Sequence, residues 1–152
     1  MKLIEVIFEN LIKGSPAFLK AVNNIKDQGG RLIGTGDYGN VYELDGKVVK
    51  VTTDETELEH AEILKNKTTK HFVKILDVEV IKNSLGIITM ENLDRLSPED
   101  EITEDFIEEL QQEAESLGVD PDELDLWVRG ENIKRDNFMK DPTTGQIKMV
   151  DV

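Results

Sequence analysis

The stretch Gly34-Thr35-Gly36-Asp37-Tyr38-Gly39 has glycine at its first, third and sixth positions. Such a pattern strips side chains from a turn and lets backbone N–H groups approach phosphate oxygens. Alone it is weak, because two architectures use it. In a dinucleotide fold a helix follows the glycines at once, and its N-terminus receives the pyrophosphate. Here Asn40–Leu44 and Lys47–Thr52 read as strands joined by Asp45-Gly46, a turn whose two central residues both need positive φ. A glycine-rich loop between strands lays its flexible backbone over nucleotide phosphates instead. Other chemistry has little support. The chain has no cysteine, which removes disulfides and thiolate metal sites. Its two histidines, His60 and His71, stand apart without metal-ligand spacing.

The elements that must position this loop follow from periodicity. Leu3, Ile4, Ile7, Phe8, Leu11 and Ile12 recur at helical spacing up to Gly14, and Ser15-Pro16 opens a second helix with Phe18, Leu19, Val22 and Ile25 as its stripe. Arg31–Gly34 is a short strand entering the glycines. Residues 55–67 are helical through Leu58, Ala61, Ile63 and Leu64, and strands follow near Val73–Val80 and Gly86–Met90. Ser97-Pro98-Glu99-Asp100 has the cap, proline and early acids of a helix start. Phe106, Ile107, Leu110, Ala114 and Leu117 give that helix one apolar face, and Asp120-Pro121 begins a short helix through Trp127. The last 20 residues read as a loop and then a hairpin, Phe138–Lys140 and Gln146–Val150, turned at Asp141–Gly145.

With strands and helices in this order, the chain over residues 31–152 resembles the eukaryotic-like protein kinase family. Gly34 to Tyr42, GTGDYGNVY, is similar to the family's phosphate loop and following strand, with Gly34, Gly36, Gly39 and Val41 at its nucleotide-contacting positions. Val48-Val49-Lys50 stands where the family keeps its phosphate-binding lysine. Glu62-Ile63-Leu64 and Phe72–Val78 resemble the end of the regulatory helix and the next strand. Ile87–Leu93 resembles the strand into the adenine-gripping hinge, at Glu91 and Leu93. Lys134-Arg135-Asp136-Asn137 resembles the end of the catalytic loop, and Lys148-Met149-Val150-Asp151 the strand ending in the metal-binding aspartate. The resemblance implies ATP as nucleotide and magnesium held by Asn137 and Asp151, whose amide and carboxylate oxygens are hard ligands. It implies Lys50 as the cation for the phosphates, Lys134 as a catalytic residue beside it, and an acid on the regulatory helix as the partner of Lys50. Ungapped alignment puts His60 at that place, and Glu59 is the preferred acid, with Glu57 one turn earlier. The implied fold is α+β and protein-kinase-like: an antiparallel N-lobe sheet with one regulatory helix over 31–93, a reduced helical C-lobe over 94–152, and extra helices over 1–30.

Departures from the family bear on activity. Five positions before Asn137, where the family has its catalytic aspartate, stands Asn132, preceded by Gly130-Glu131. An amide is a poor acceptor for a hydroxyl proton, so Asn132 implies weakened catalysis. The sequence stops at Asp151-Val152, before the glycine, activation segment and peptide platform that the family carries.

Charge narrows the alternatives. Net charge is −14, and fourteen acids against Arg95 lie between Asp94 and Asp125. That balance opposes binding to a nucleic-acid backbone. It fits a solvated helical face, a contact for a basic protein partner or, as an outsider, a nucleic-acid mimic. No apolar run is long enough to span a bilayer, and Glu5, Glu9 and Asn10 interrupt any signal-peptide core, so a cytoplasmic protein is expected. Two functions compete: a minimal ATP-dependent phosphotransferase, and an inactive pseudokinase-type module that regulates a partner through its acidic face.

Overall fold

The structure, a computed structural model, describes residues 14–82, 84–128 and 132–151. The helix expected over Leu3–Ile12 and the pair Gly130-Glu131 lie outside the described residues. The chain folds as two compact units. One holds the described residues up to Asn66 together with Ile75–Asn92, and the other Lys67–Lys74 with the chain from Leu93 onward.

The first unit is an antiparallel five-stranded sheet with a helix on each face. Strands β1 (Arg31–Thr35), β2 (Gly39–Leu44), β3 (Lys47–Thr52), β4 (Ile75–Lys82) and β5 (Leu85–Met90) lie in the order β1-β2-β3-β5-β4. Asp45 and Gly46 turn β2 into β3 with φ of 52° and 76°, the positive values the Asp-Gly pair is suited to. Because side chains alternate along a strand, Val49 and Val51 face one way and Lys50 the other. Helix α1 (Pro16–Asp27) buries Phe18, Ala21, Val22 and Ile25 against Tyr42, Val49, Val51 and Leu85. Its start is fixed by Ser15, whose Oγ accepts from Phe18 N–H, and by Pro16 at the first helical position. Helix α2 (Glu55–Leu64) covers the opposite face. A Cβ on Gly86 would come within 2.5 Å of Leu58, so glycine is what lets α2 approach β5 this closely. Asp54 caps α2 through Thr56 and Glu57 N–H. The helix ends at Leu64, three residues earlier than its periodicity suggests, and Asn66 turns the chain at φ 60°.

The second unit centres on α3 (Glu104–Leu117), which turns Ile107, Leu110 and Ala114 inward. Thr103 caps its start and Gly118, at φ 87°, ends it. Ser97–Asp100 does not begin this helix. The Asp100 carboxylate bonds back to Ser97 N–H and Oγ and to Lys140 Nζ, closing a turn instead of opening a helix. Strands β6 (Asp94–Arg95), β9 (Phe138–Lys140) and β10 (Ile147–Met149) make a small sheet in the order β10-β9-β6. The helix expected from Asp120 is only a 3-10 turn over Pro121–Glu123. Beyond it Leu124 and Leu126 are buried, Asp125 is exposed, and the chain extends into a hairpin of β7 (Trp127–Val128) and β8 (Asn132–Ile133).

Segment Lys67–Lys74 is bolted into this unit. Phe72 pairs in parallel with Met149, and Val73 N–H donates to the Met149 carbonyl at 2.9 Å. The His71 ring is gripped between Glu109 and Glu113 of α3, each 3.2 Å from a ring nitrogen. Among the described residues no helix is long and apolar enough to cross a membrane.

Candidate functional site

In the first unit the glycines divide by role. A Cβ on Gly39 would sit 2.0 Å from the Val51 carbonyl oxygen, so Gly39 lets β2 lie close along β3. A Cβ on Gly36 would meet nothing, and one on Gly34 only Val41 at 3.9 Å. Those two positions have room, which suits a loop whose backbone must be approached from outside. The Gly36 N–H donates to the Gly39 carbonyl at 2.9 Å and draws the turn closed. Val41 is the cross-strand partner of Lys50, so both side chains share the α2 face of the sheet.

Lys50 Nζ lies 2.5 Å from Glu57 Oε2, with the two side chains 17% and 5% exposed. The acid on this helix is therefore Glu57, not Glu59. Helix α2 turns Glu57, Leu58, Ala61 and Leu64 inward at three- and four-residue steps, and Glu59 falls on the exposed side. His60, at the ungapped position, is buried with this inner face and not an exposed helix residue. Glu91 is half-buried at the end of the first unit, and Leu93 is buried in the second.

In the second unit the hairpin β9–β10 brings the chain at Asn137 beside that at Val150-Asp151: Val150 N–H donates to the Asn137 carbonyl at 2.8 Å. Asn137 is buried, and its Nδ2 donates at 2.7 Å to the backbone carbonyl of Asp125, which leaves Oδ1 as the amide's accepting end. Lys134 Nζ meets Asp125 Oδ2 at 2.6 Å. Asp125 thus stands beside both Lys134 and Asn137. Asn132 is exposed on strand β8 and pairs with Val128. Hairpin β7–β8 lies between Asp125 and Lys134, and Lys134 N–H closes it by donating to the Leu126 carbonyl at 2.8 Å. The sequence signal for Asp125 is Leu-Asp-Leu, an alternation that leaves one carboxylate outward between two buried leucines.

Electrostatics bind this cluster together. The Lys134 ammonium is raised above its ordinary value, first by its hydrogen bond to Asp125, with Asp125, Asp151 and Asp136 adding attraction against the cost of burial. Asp141 is lowered, chiefly by Thr143 N–H, consistent with a carboxylate that caps the β9–β10 turn. Among the described residues no group of three or more His, Cys, Asp or Glu could hold a metal ion. Asn137 and Asp151 are two hard oxygen donors, and that suits magnesium, which keeps several waters and takes one or two protein ligands plus substrate phosphates.

No family model matches the sequence, and no curated protein matches it. Among solved structures the chain is similar to the crystal structure of Rad53 1–466 in complex with AMP-PNP. Identity there is 14% and the TM-score 0.48, over 80% of this chain and 36% of that one. It is also similar to the Mycobacterium tuberculosis PknI kinase domain, at 13% identity and a TM-score of 0.46, over 80% of this chain and 57% of that one. The chain therefore spans between about a third and three-fifths of the length of these proteins. At such identities, and with TM-scores below 0.5, the likenesses say nothing of what this chain binds or does.

Proposed function

We propose that the protein is a kinase-like, ATP-dependent phosphotransferase whose base is Asp125. The observation that carries this reading is the constellation in the second unit. The Asp125 carboxylate is held by Lys134 at 2.6 Å, and its backbone carbonyl by the buried amide of Asn137 at 2.7 Å. A side chain held at both ends is oriented before an acceptor arrives, and orientation is most of what phosphoryl transfer asks of a protein. Asp125 stays more than half exposed, so an acceptor hydroxyl can reach it.

In this reading the acceptor oxygen forms the new bond to the γ-phosphorus. The bond to the β–γ bridging oxygen breaks, ADP leaves with its electron pair, and the hydroxyl proton passes to Asp125. Lys134 holds the carboxylate in place and offers positive charge to the moving phosphoryl group. In the first unit, Glu57 orients Lys50 as a cation for a phosphate group. Asn137 Oδ1 and the Asp151 carboxylate would hold magnesium, which supplies charge neutralisation at the phosphate oxygens when bound.

The module reading drew on Asn132 as a poor base and on the acidic segment, and with Asp125 read as the base the first of these no longer favours it. The acidic segment is partly structural as well, since Glu109 and Glu113 clamp His71 and Asp100 holds Lys140. A basic protein partner on the remaining exposed acids stays a proposal of lower rank. Calorimetry of ATP with and without magnesium tests the main reading. Binding is expected to depend on magnesium in the parent and to lose that dependence in Asp151→Ala. Absent ATP binding, or equal metal-independent binding in both proteins, would overturn it.

A further inference from the structure

The acids of α3 are not alike. Glu104, Asp105, Glu108, Glu109 and Glu115 are exposed, and Glu113 alone is half-buried, its side chain 23% exposed. The Glu113 carboxylate takes its donors from one short stretch of chain. Oε2 accepts from Lys70 N–H at 3.1 Å, and Oε1 from His71 N–H at 2.9 Å, with His71 Nδ1 3.2 Å away. On the other side of the ring, Nε2 lies 3.2 Å from Glu109 Oε2, which Lys70 Nζ approaches at 4.0 Å. A neutral imidazole has one N–H and serves one of these carboxylates, whereas a doubly protonated ring serves both. Glu113 keeps its two backbone donors in either state, and a bond to an ionised acceptor is roughly twice as strong as one between neutral groups.

What Glu113 holds is the stretch from which the end of β10 hangs. Met149 N–H donates to the His71 carbonyl at 2.8 Å, and the Met149 carbonyl accepts from Val73 N–H at 2.9 Å. Both backbone groups of Met149 are thus taken by residues 71–73, and Asp151 stands two residues further on. A second route runs through aromatic rings. His71 meets Phe106 edge-on with ring centroids 5.3 Å apart, and Phe106 meets Phe138 edge-on at 6.0 Å. Phe138 is buried and follows Asn137 directly. Each of the two oxygen donors proposed for magnesium is therefore one or two residues from a group that the clamped segment fixes.

Resting on Asn137 and Asp151 as the magnesium-holding pair, we infer that Glu113 is a positioning residue for metal binding, acting through the backbone of His71–Val73 and the ring of His71. Magnesium demands near-octahedral geometry with ligands at about 2.0–2.1 Å, so a small displacement of either oxygen weakens its binding. Glu109 supports the ring alone, and its share is the smaller one.

Amide exchange of the nucleotide-free protein reads the first link. In Glu113→Gln the protection of the Val73 and Met149 amides should fall several-fold, while Val49 and Val51 in the first unit keep theirs. Calorimetry with ATP reads the second. With magnesium, affinity should fall several-fold in Glu113→Gln and by less in Glu109→Gln, which leaves the Lys70 and His71 N–H groups bonded; without magnesium all should match the parent. A merely structural loss would weaken binding alike in both conditions. Glu108→Gln, exposed on the same helix, controls for charge alone and should change neither readout. Should Glu113→Gln fail to fold, Glu109→Gln carries the same comparison with the smaller change expected of it. Unmoved protection at Met149, an equal loss with and without magnesium, or an equal effect from Glu108→Gln would each overturn the inference. A parent that fails to bind ATP with magnesium overturns the phosphotransferase reading and this inference with it, whereas intact parent binding with unmoved variants sinks the inference alone.

Discussion

Two lysine–carboxylate pairs, one in each unit, have nearly equal lengths and opposite surroundings. Lys50–Glu57 is 2.5 Å long and largely buried, whereas Lys134–Asp125 is 2.6 Å long with side chains 39% and 54% exposed. Burial makes the first pair costly to break, because a largely buried charge would lose a bonded counter-charge. Exposure makes the second nearly worthless for stability, about 0–1 kcal/mol at most. In the proposed reading this pair, positioned by a buried asparagine and a closed hairpin, serves chemistry more than folding. The first pair sets the posture of a lysine, and the second keeps a carboxylate available.

The contrast breaks first at Asp125. Asp125→Asn keeps the shape and removes the proton acceptor, so ATP hydrolysis or phosphotransfer should fall roughly 10²–10⁴-fold. The melting temperature should hardly move, since the lost pair is exposed. Asn132→Asp should bring no gain, because that residue lies on β8 across from Val128. Full turnover in Asp125→Asn, or a large gain in Asn132→Asp, would return the base to the inserted hairpin. Steady-state rates of the three proteins decide it.

The same residues show what could be read before the structure. The places of Lys50, Asn137 and Asp151 along the chain's hairpins were legible because Asp45-Gly46 and Asp141–Gly145 fix those hairpins by local turn chemistry. Gly39 was legible as a glycine but not for its reason, the Val51 carbonyl 2.0 Å from where a Cβ would be. Asp125 was hidden by distance. Eight residues lie between it and Lys134, and the β7–β8 pairing and the Leu126 carbonyl bring the two together. Glu57 was hidden by helix phase, since three acids crowd Glu55–Glu59 and only the cap at Asp54 settles which one turns inward. The Ser97–Asp100 motif was misread because tertiary partners, Lys140 and Arg135, claimed groups that a helix start would have used.

A second effect, next in size, belongs to the buried pair. Glu57→Ala leaves the Lys50 ammonium without its carboxylate on a side chain only 17% exposed. Breaking a buried pair costs roughly 3–5 kcal/mol, and the solvent that Lys50 retains places this case near 3. Glu59→Ala, on the exposed side of α2, should stay within about 0.5 kcal/mol. Urea midpoints of the two variants make the comparison. Equal losses would mean that the helix phase is wrong, and with it the assignment of Glu57.

The smallest effect concerns Asp100, whose pair with Lys140 is 2.9 Å long and lies between the other two in exposure. Its carboxyl is held below the ordinary value of 3.8, first by the Ser97 N–H, then by Lys140, with burial opposing. A lowered folded-state value means that the stabilisation is complete above pH 3.8 and is lost as pH falls through the lower folded-state value. Asp100→Asn should therefore melt slightly below the parent from pH 7 down to about 4.5, with a constant gap, and the gap should close on further acidification as the parent's own carboxylate is protonated. The Lys134 pair has the opposite sense. Its raised value keeps its contribution complete below 10.5 and surrenders it only as pH rises through the higher folded-state value. Differential melting of Asp100→Asn and Lys134→Met across pH 3–11 should thus show one gap closing at the acid end and a smaller one closing at the alkaline end. A gap for Asp100→Asn that widens in acid would mean that Ser97 N–H and Lys140 do not hold the charged form, and that the turn closing Ser97–Asp100 is stabilised by something else.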